Sequence, residues 1–181
     1  MIKPSLKYKS EIEAFRDEFI KKGEYIHGCC SLYKLSKVYD WINQIKQFEN
    51  EKTVPPNFVP ITQYMYIRES DKKIIGVVQI RHYLNELLEK YSGHIGYSVA
   101  PSERRKGYAT EMLRLILPEC KKLGIDKILL CCEKGNEASK KTIINNGGVY
   151  DKTVYLAEEN TYIERYYITM GGAVLKGENS L

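Results

Sequence analysis

One stretch of the sequence decides the fold of this chain: HIGYSVAPSERRKGYAT, residues 94–110. It reads as a strand that ends at Pro101, a basic turn and the first residues of an amphipathic helix. The first backbone N–H groups of a helix have no intrahelical partner, and the helix dipole adds partial positive charge there. Gly107 leaves room for close approach, and residues 104–106 add full charges. The stretch therefore predicts a turn that binds phosphate groups.

The motifs on either side of this turn indicate which kind of phosphate-binding protein it belongs to. The pattern R-x-x-G-x-A at residues 104–109 follows G-Y-x-V-x-P at residues 96–101, and after a second strand Asn136-Glu-Ala-Ser139 opens another helix. In this combination and order, residues 63–150 resemble the GNAT superfamily of acyl-CoA-dependent N-acyltransferases, whose cofactor loop reads Q/R-x-x-G-x-G/A. Other phosphate loops fit worse, because the sequence has neither G-x-x-x-x-G-K-S/T nor a G-x-G-x-x-G that follows a strand.

The resemblance implies an α/β fold of the α+β type, with a mixed, splayed central sheet of about six to seven strands flanked by helices. We expect one N-acetyltransferase domain over residues 1–170, with its cofactor-binding core at about 63–150. Residues 171–181 are rich in glycine and charge, and they predict a loose C-terminal tail.

Apolar spacing predicts four helices. The first spans residues 10–22, with Ser10 as N-cap and Glu13 completing a capping box, and it ends near Gly23. The second spans 36–50 and carries an apolar face for the core. Pro118 is expected to kink the helix that follows the phosphate turn or to end its regular part. The fourth helix is predicted at 137–146.

Strand-like runs are predicted at residues 61–68, 73–82, 94–99, 127–132, 149–156 and 162–169, and the proline-rich segment 53–60 is predicted to be a loop. The order strand, helix, strand around residues 94–132 implies a right-handed crossover with parallel pairing.

Composition fits a soluble globular protein, with 43% hydrophobic and 28% charged residues. No apolar run approaches the roughly 20 residues of a membrane span, and the N-terminus lacks the apolar region of a signal peptide, so we expect a cytoplasmic protein without membrane contact. The five cysteines lack C-x-x-C spacing and only three histidines accompany them, so we expect reduced thiols and no metal centre.

The resemblance also assigns residues to acetyl-CoA. The main chain of one strand residue would bind the pantetheine arm, the basic turn would hold the pyrophosphate, and the N-x-x-S element would meet the cofactor at the next helix. The residues concerned are Val99, Arg104, Arg105, Lys106, Gly107, Tyr108, Ala109, Thr110, Asn136 and Ser139. Asn136 would also serve as an ordinary N-cap.

The usual catalytic side chains of the family are missing. Many members place a glutamate on the central strand and a tyrosine seven residues after the asparagine, and these positions are Gly93 and Ile143 here. Tyr97 and His94 are the candidate catalytic residues. His82, Glu133 and Tyr150 are weaker candidates.

The second predicted strand ends with Arg81 and His82. This polar end is either a solvated strand end or a wall of the acceptor pocket, so both residues are candidates for substrate binding.

Three functions remain open. The first is transfer of the acetyl group of acetyl-CoA to an amine of a small molecule or peptide, and the second is an acyl-CoA-binding sensor with little turnover. Nucleic-acid binding is the third and fits worst, because the basic residues coincide with the phosphate turn. A homodimer could form through the final strands.

Overall fold

The computed structural model of the protein describes residues 1–170, which form five α-helices and six β-strands. The helices are α1 (Lys9–Lys22), α2 (Val38–Phe48), α3 (Glu86–Tyr91), α4 (Tyr108–Lys122) and α5 (Glu137–Asn145). The strands are β1 (Ile61–Ile67), β2 (Ile74–Arg81), β3 (Ile95–Val99), β4 (Lys127–Glu133), β5 (Val149–Leu156) and β6 (Thr161–Thr169). These elements confirm the predicted α+β class, and each predicted strand is present.

The strands form two antiparallel sheets, with the orders β1-β2-β3 and β4-β6-β5. The sheets meet at an isolated bridge between Gly93 and Leu130, where the His94 N–H donates to the Leu129 carbonyl at 2.7 Å. The parallel ladder predicted between β3 and β4 is not formed in the described part of the chain, and the bridge itself has the antiparallel pattern. Beyond the bridge, β3 and β4 separate and lie on opposite sides of a cleft, as the predicted splay of the two strands requires.

The first sheet is buried on both faces, because different helices cover each one. Val78 on β2 packs with the apolar residues of α4, and its neighbour Val77 packs with those of α1 and α2. Successive strand residues point to opposite faces, which explains why β2 is almost continuously apolar. The predicted apolar face of α2 is confirmed, and its five residues are buried: Val38, Trp41, Ile42, Ile45 and Phe48.

The start of α1 differs from the prediction. A 3-10 turn at Leu6–Tyr8 runs directly into the helix, so Ser10 already lies inside the first turn and not at the N-cap. The N-cap residue is Tyr8, which makes no side-chain capping bond, and the Ser10 hydroxyl donates to Glu11 at 3.0 Å. The predicted capping box is therefore wrong. The predicted end is confirmed, with Gly23 in the left-handed conformation at φ 64°.

For helix α4 one of the two predicted effects of Pro118 is excluded, and helix α3 is an addition to the predicted elements. Helix α4 continues through Pro118 to Lys122, so the proline does not end it. The short helix α3 was not predicted, and Asn85 caps it by accepting a hydrogen bond from the Leu88 N–H at 3.0 Å. This helix brings the chain from β2 back to the bridge at Gly93.

Within residues 1–170, no helix has both the length and the apolar character that crossing a bilayer requires. All five cysteines are free thiols. The predicted tail at 171–181 lies outside the described residues, and the single-domain assignment stays a prediction.

Candidate functional site

A cleft of about 280 Å³ lies where β3 and β4 diverge. One wall is the backbone of β3, the other is the end of β4 with the start of α5, and the segment between α1 and α2 covers one side. The cleft is lined by His27, Gly28, Arg81, Tyr91, Ser92, Ile95, Gly96, Tyr97, Cys131, Cys132, Glu133, Asn136, Ser139, Leu156, Glu159 and Ile163. The fold therefore brings together five residues predicted from the sequence: Arg81, Tyr97, Glu133, Asn136 and Ser139.

The predicted phosphate turn places a left-handed glycine directly before a helix. Gly107 precedes α4 in the left-handed conformation at φ 83°, and a Cβ placed on it would meet no atom within 4 Å. The first intrahelical bond runs from the Glu111 N–H to the Gly107 carbonyl at 3.2 Å, which leaves the N–H groups of residues 108–110 at the open helix end. Two diphosphate oxygens could therefore approach backbone donors without meeting a side chain.

Glu103 holds the predicted phosphate turn in place through ion pairs. This role was not predicted from the sequence. Its carboxylate is only 5% exposed and accepts hydrogen bonds from Lys106 at 2.9 Å and Arg68 at 3.0 Å, with Lys73 at 3.3 Å. These three cations lower the pKa of Glu103 to about 2, with Lys106 as the largest contributor. The carboxylate therefore stays charged, and it ties the phosphate turn to the β1–β2 hairpin.

The basic residues of the turn have different surroundings. The Arg104 guanidinium contacts the Glu24 carboxylate, donates to the Val99 carbonyl at 3.3 Å and lies 5.5 Å from the ring centre of Phe19. Arg104 thus faces α1. Arg105 is exposed and adopts a left-handed conformation at φ 61°, which is uncommon for a residue other than glycine.

Tyr97 and Ser139 meet across the cleft. The phenol oxygen lies 2.7 Å from the Ser139 hydroxyl oxygen, so a residue of β3 contacts the first turn of α5. Asn136 caps α5 by accepting from the Ser139 N–H at 3.1 Å, which confirms the N-cap alternative for that residue. Burial raises the pKa of Tyr97 to about 12. The phenol is therefore protonated at neutral pH and is suited to donate a proton or hydrogen bond.

The structure explains why positions 93 and 143 lack the usual side chains. Gly93 is left-handed at φ 70°, and a Cβ on it would lie 2.4 Å from the Leu129 carbonyl oxygen at the bridge. Ile143 is fully buried in the core, and a Cβ on Gly148 would lie 2.4 Å from its side chain. A glutamate or a tyrosine at these positions would require the surrounding backbone or core to move.

His94 and His82 lie elsewhere, in a separate cavity of about 420 Å³ at the other end of β4. Residues 94 and 97 are three positions apart. Because side chains alternate between the two faces of a sheet, those of His94 and Tyr97 point to opposite faces. The His94 Nδ1 accepts from the Leu129 N–H at 3.0 Å, and the His82 Nε2 lies 2.8 Å from the Thr62 hydroxyl oxygen. Burial lowers the pKa of both imidazoles. The two candidate catalytic residues, Tyr97 and His94, are therefore not brought together.

Arg81 reaches the cleft along the backbone of β3. Its Nη1 donates to the Gly93 carbonyl at 2.8 Å, and burial lowers the pKa of the guanidinium. The candidate pair Arg81 and His82 is divided between the two cavities.

The segment that covers the cleft is fixed by polar side chains inside the sheet, which sequence reasoning missed. The His27 N–H donates to the Ser98 hydroxyl at 2.8 Å, and the Gln63 amide donates to the Gly28 carbonyl at 2.9 Å. Gly28 approaches so closely that a Cβ on it would lie 2.2 Å from the Gly96 backbone. The sequence did contain a signal for these contacts, because Gln63 and Ser98 are polar residues within predicted strands and buried polar groups need hydrogen-bond partners.

Comparison with known protein families shows to which family the chain belongs. The sequence matches the acetyltransferase (GNAT) domain over residues 11–149, more than half of the chain. The chain belongs to the GNAT acetyltransferase family. No curated protein sequence matches this GNAT protein significantly.

Several solved structures resemble the GNAT protein in fold. Ribosomal-protein-S5-alanine acetyltransferase from Vibrio fischeri is 14% identical with a TM-score of 0.65, and the alignment covers 93% of this chain and 90% of that chain. Microcin C7 self immunity acetyltransferase MccE, in complex with acetyl-CoA and AMP, is 20% identical with a TM-score of 0.62 and the same coverage. A mutant of spermidine N-acetyltransferase SpeG from Vibrio cholerae is 16% identical with a TM-score of 0.57, covering 90% and 91%. At these identities the likeness establishes the fold alone.

Proposed function

We propose that this GNAT protein transfers the acetyl group of acetyl-CoA to an amine of a small molecule or peptide. The observation that carries the proposal is the open N-terminus of α4, whose left-handed Gly107 leaves free space above the helix. A diphosphate suits this position because free backbone donors lie at the helix end and three basic residues, 104–106, precede it in the chain. The neighbouring cleft between β3 and β4 offers room for the acyl-bearing arm.

The cofactor residues keep the roles given by the family resemblance. The backbone N–H groups of residues 107–110, with Arg105 and Lys106 beside them, would hold the diphosphate. Val99 lies on the strand that faces the cleft, and its main chain would meet the pantetheine arm, with Asn136 and Ser139 on the opposite wall. Arg104 would join the diphosphate by exchanging its contact with Glu24, because that exposed pair contributes little to stability.

Tyr97 is the residue to which we assign chemistry. In the proposed reaction the amine nitrogen bonds to the acetyl carbonyl carbon, the carbon–sulfur bond breaks, and the sulfur leaves with the electron pair. The protonated phenol of Tyr97 would supply a proton to that sulfur, and Ser139 holds the phenol in place. A water molecule would take the proton from the amine. His94 would support the bridge to Leu129, because its ring lies in the other cavity.

An acyl-CoA sensor is the second candidate. It is favoured by the crowded position of Gly93, which leaves no space for the family's usual base. Calorimetry with acetyl-CoA, using CoA and ATP as controls, tests cofactor binding, and release of the CoA thiol with a panel of amines and peptides tests turnover. Selective binding with turnover supports the transferase. Binding without turnover across the panel favours the sensor, and no binding of either CoA form contradicts both.

We also propose that the protein is cytoplasmic and that it forms a homodimer. The outer strand β5 leaves backbone groups unpaired along one edge and exposes Val149 at 70% and Tyr150 at 54%. Light scattering of the wild-type protein and of a Val149→Lys variant measures the oligomeric state. A monomer at all accessible concentrations would contradict the dimer.

A further inference from the structure

Arg81 is an unusual residue for the floor of a cleft. Its guanidinium is removed from most solvent, yet within residues 1–170 no carboxylate lies within 4.0 Å of it. A guanidinium has five N–H donors, and the structure satisfies one of its nitrogens, Nη1, through the Gly93 carbonyl at 2.8 Å. A charge in this environment is costly unless an opposite charge pairs with it.

The neighbouring groups do not supply that opposite charge. The thiols of Cys30 and Cys131 are the nearest titratable groups that could carry a negative charge beside the guanidinium. Burial raises the pKa of each thiol to about 12, so both are neutral near pH 7. The imidazole of His94 lies in the other cavity, and burial and the charge of Arg81 lower its pKa, so it supplies no negative charge. The nearby carboxylates Glu89 and Asp151 act on His94 and Cys131, and neither forms an ion pair with Arg81.

The guanidinium lines the cleft next to two residues without side chains, Gly28 and Gly96. An ideal Cβ on Gly96 would lie 3.9 Å from the Arg81 Nη2 and 3.0 Å from the Gly28 Cα. Gly28 and Gly96 therefore pack backbone against backbone, and no side chain of either residue covers the guanidinium. An oxyanion that enters the cleft could meet its planar edge with two parallel hydrogen bonds.

We infer that the amine acceptor carries an anionic group, a carboxylate or a phosphate, that pairs with Arg81 on the floor of the cleft. The inference rests on the proposed function and specifies its substrate class. With the anion held at Arg81, the amine would extend along β3 toward Tyr97, where both residues line the same cleft.

The cleft also contains two carboxylates, Glu133 and Glu159, which could favour a cationic acceptor such as a polyamine. Both residues are exposed, so water and salt screen their charges. Arg81 is less exposed than these two glutamates, so water screens its charge less. The balance therefore favours an anionic acceptor over a polycation.

Matched pairs of acceptors test the inference. The carboxylate arm compares 4-aminobutyrate with its amide and a dipeptide with its C-terminal amide, the phosphate arm compares phosphoethanolamine with ethanolamine, and spermidine represents polycations. Binding to the protein alone and kcat/KM with acetyl-CoA are both measured. We expect at least one anionic member to exceed its neutral partner by about 10- to 100-fold. Whichever arm shows the preference identifies the anion as carboxylate or phosphate.

Variants assign the preference to Arg81. Arg81→Gln should abolish it, Arg81→Lys should retain part of it because the charge remains without the planar fork, and exposed Lys121→Gln should leave it unchanged. Melting temperatures check that each variant is folded. If Arg81→Gln unfolds, the Arg81→Lys variant and the wild-type pairs still decide the question.

The failures of the two proposals are distinguishable. Equal binding of anionic and neutral partners, or a preference for spermidine, overturns the inference, and acetyl-CoA binding with turnover would leave the transferase intact. An anion preference that survives in Arg81→Gln also overturns it. Conversely, Arg81-dependent anion binding in a protein that binds no acetyl-CoA would contradict the proposed function alone.

Discussion

The phenol oxygen of Tyr97 lies 2.7 Å from the Ser139 hydroxyl oxygen, and this contact joins the central strand to the helix on the opposite side of the cleft. We propose that this phenol serves as the proton donor, a role that many GNAT proteins give to a tyrosine of that helix. The corresponding helix position, Ile143, is buried in the core. In this proposal the proton donor comes from strand β3 and not from α5.

Tyr97→Phe removes the donor and keeps the ring. We expect kcat to fall by about 100-fold, with little change in acetyl-CoA affinity, because the missing proton matters when the thiolate leaves. Steady-state kinetics and calorimetry measure the two effects. Tyr155→Phe, at a 47% exposed tyrosine, is the control. Unchanged kcat in Tyr97→Phe would remove this residue from the chemistry.

The pH dependence of the wild type gives an independent check. The pKa of Tyr97 is raised to about 12, so the protonated form that donates persists throughout the alkaline range below that value. A rate that needs the protonated phenol should therefore rise with pH as the amine loses its proton and show no decline between about pH 8 and 10. A decline in that interval, with the protein still folded, would contradict the assignment.

Gly107→Glu should weaken acetyl-CoA binding by more than about 100-fold, because it places a negative side chain where the phosphates would lie. The control is Gly124→Glu at the other end of α4. Gly124 has a similar φ of 78°, and a Cβ there would also meet no atom within 4 Å, so the two substitutions carry a similar backbone strain. Equal affinities of the two variants in calorimetry would place the cofactor elsewhere.

Glu103→Gln should lower the melting temperature at neutral pH, because Arg68, Lys73 and Lys106 lose their shared carboxylate. The pKa of Glu103 is lowered from 4.5 to about 2, so its stabilisation is complete above pH 4.5 and is lost as the pH falls toward 2. The difference in melting temperature between wild type and variant should therefore shrink over that interval. Exposed Glu69→Gln is the control. A pH-independent difference would exclude an electrostatic role for Glu103.

Gly28→Ala should destabilise the protein more than Gly23→Ala does. Both glycines are left-handed, at φ 69° and 64°, so both substitutions carry the conformational cost of about 1 to 2 kcal/mol. Only at Gly28 would the new methyl lie 2.2 Å from the Gly96 backbone, which raises the expected total to about 3 kcal/mol or more. Urea unfolding measures both values. Similar losses would mean that the covering segment is free to move away from β3.

Local parts of the molecule were predictable from the sequence. Residues 94–110 indicated a strand, a turn and a helix, and the apolar face of α2 followed from the 3.6-residue period. The capping box at Ser10 failed because a preceding 3-10 turn moved the helix start. Such a turn depends on how the N-terminus packs, as in the bridge between Ile2 and Met65, and the local residues do not specify it.

The sequence by itself predicted the turn at residues 104–110 and the family, because the conformation at Gly107 and the start of α4 depend on residues adjacent in the chain. Tertiary structure decided the rest of the site. It separated His94 from Tyr97 into two cavities, and it placed Arg81 beside the cleft without a carboxylate partner among residues 1–170. Burial and charge pairing join residues that lie far apart in the chain, so spacing along the sequence could not reveal them.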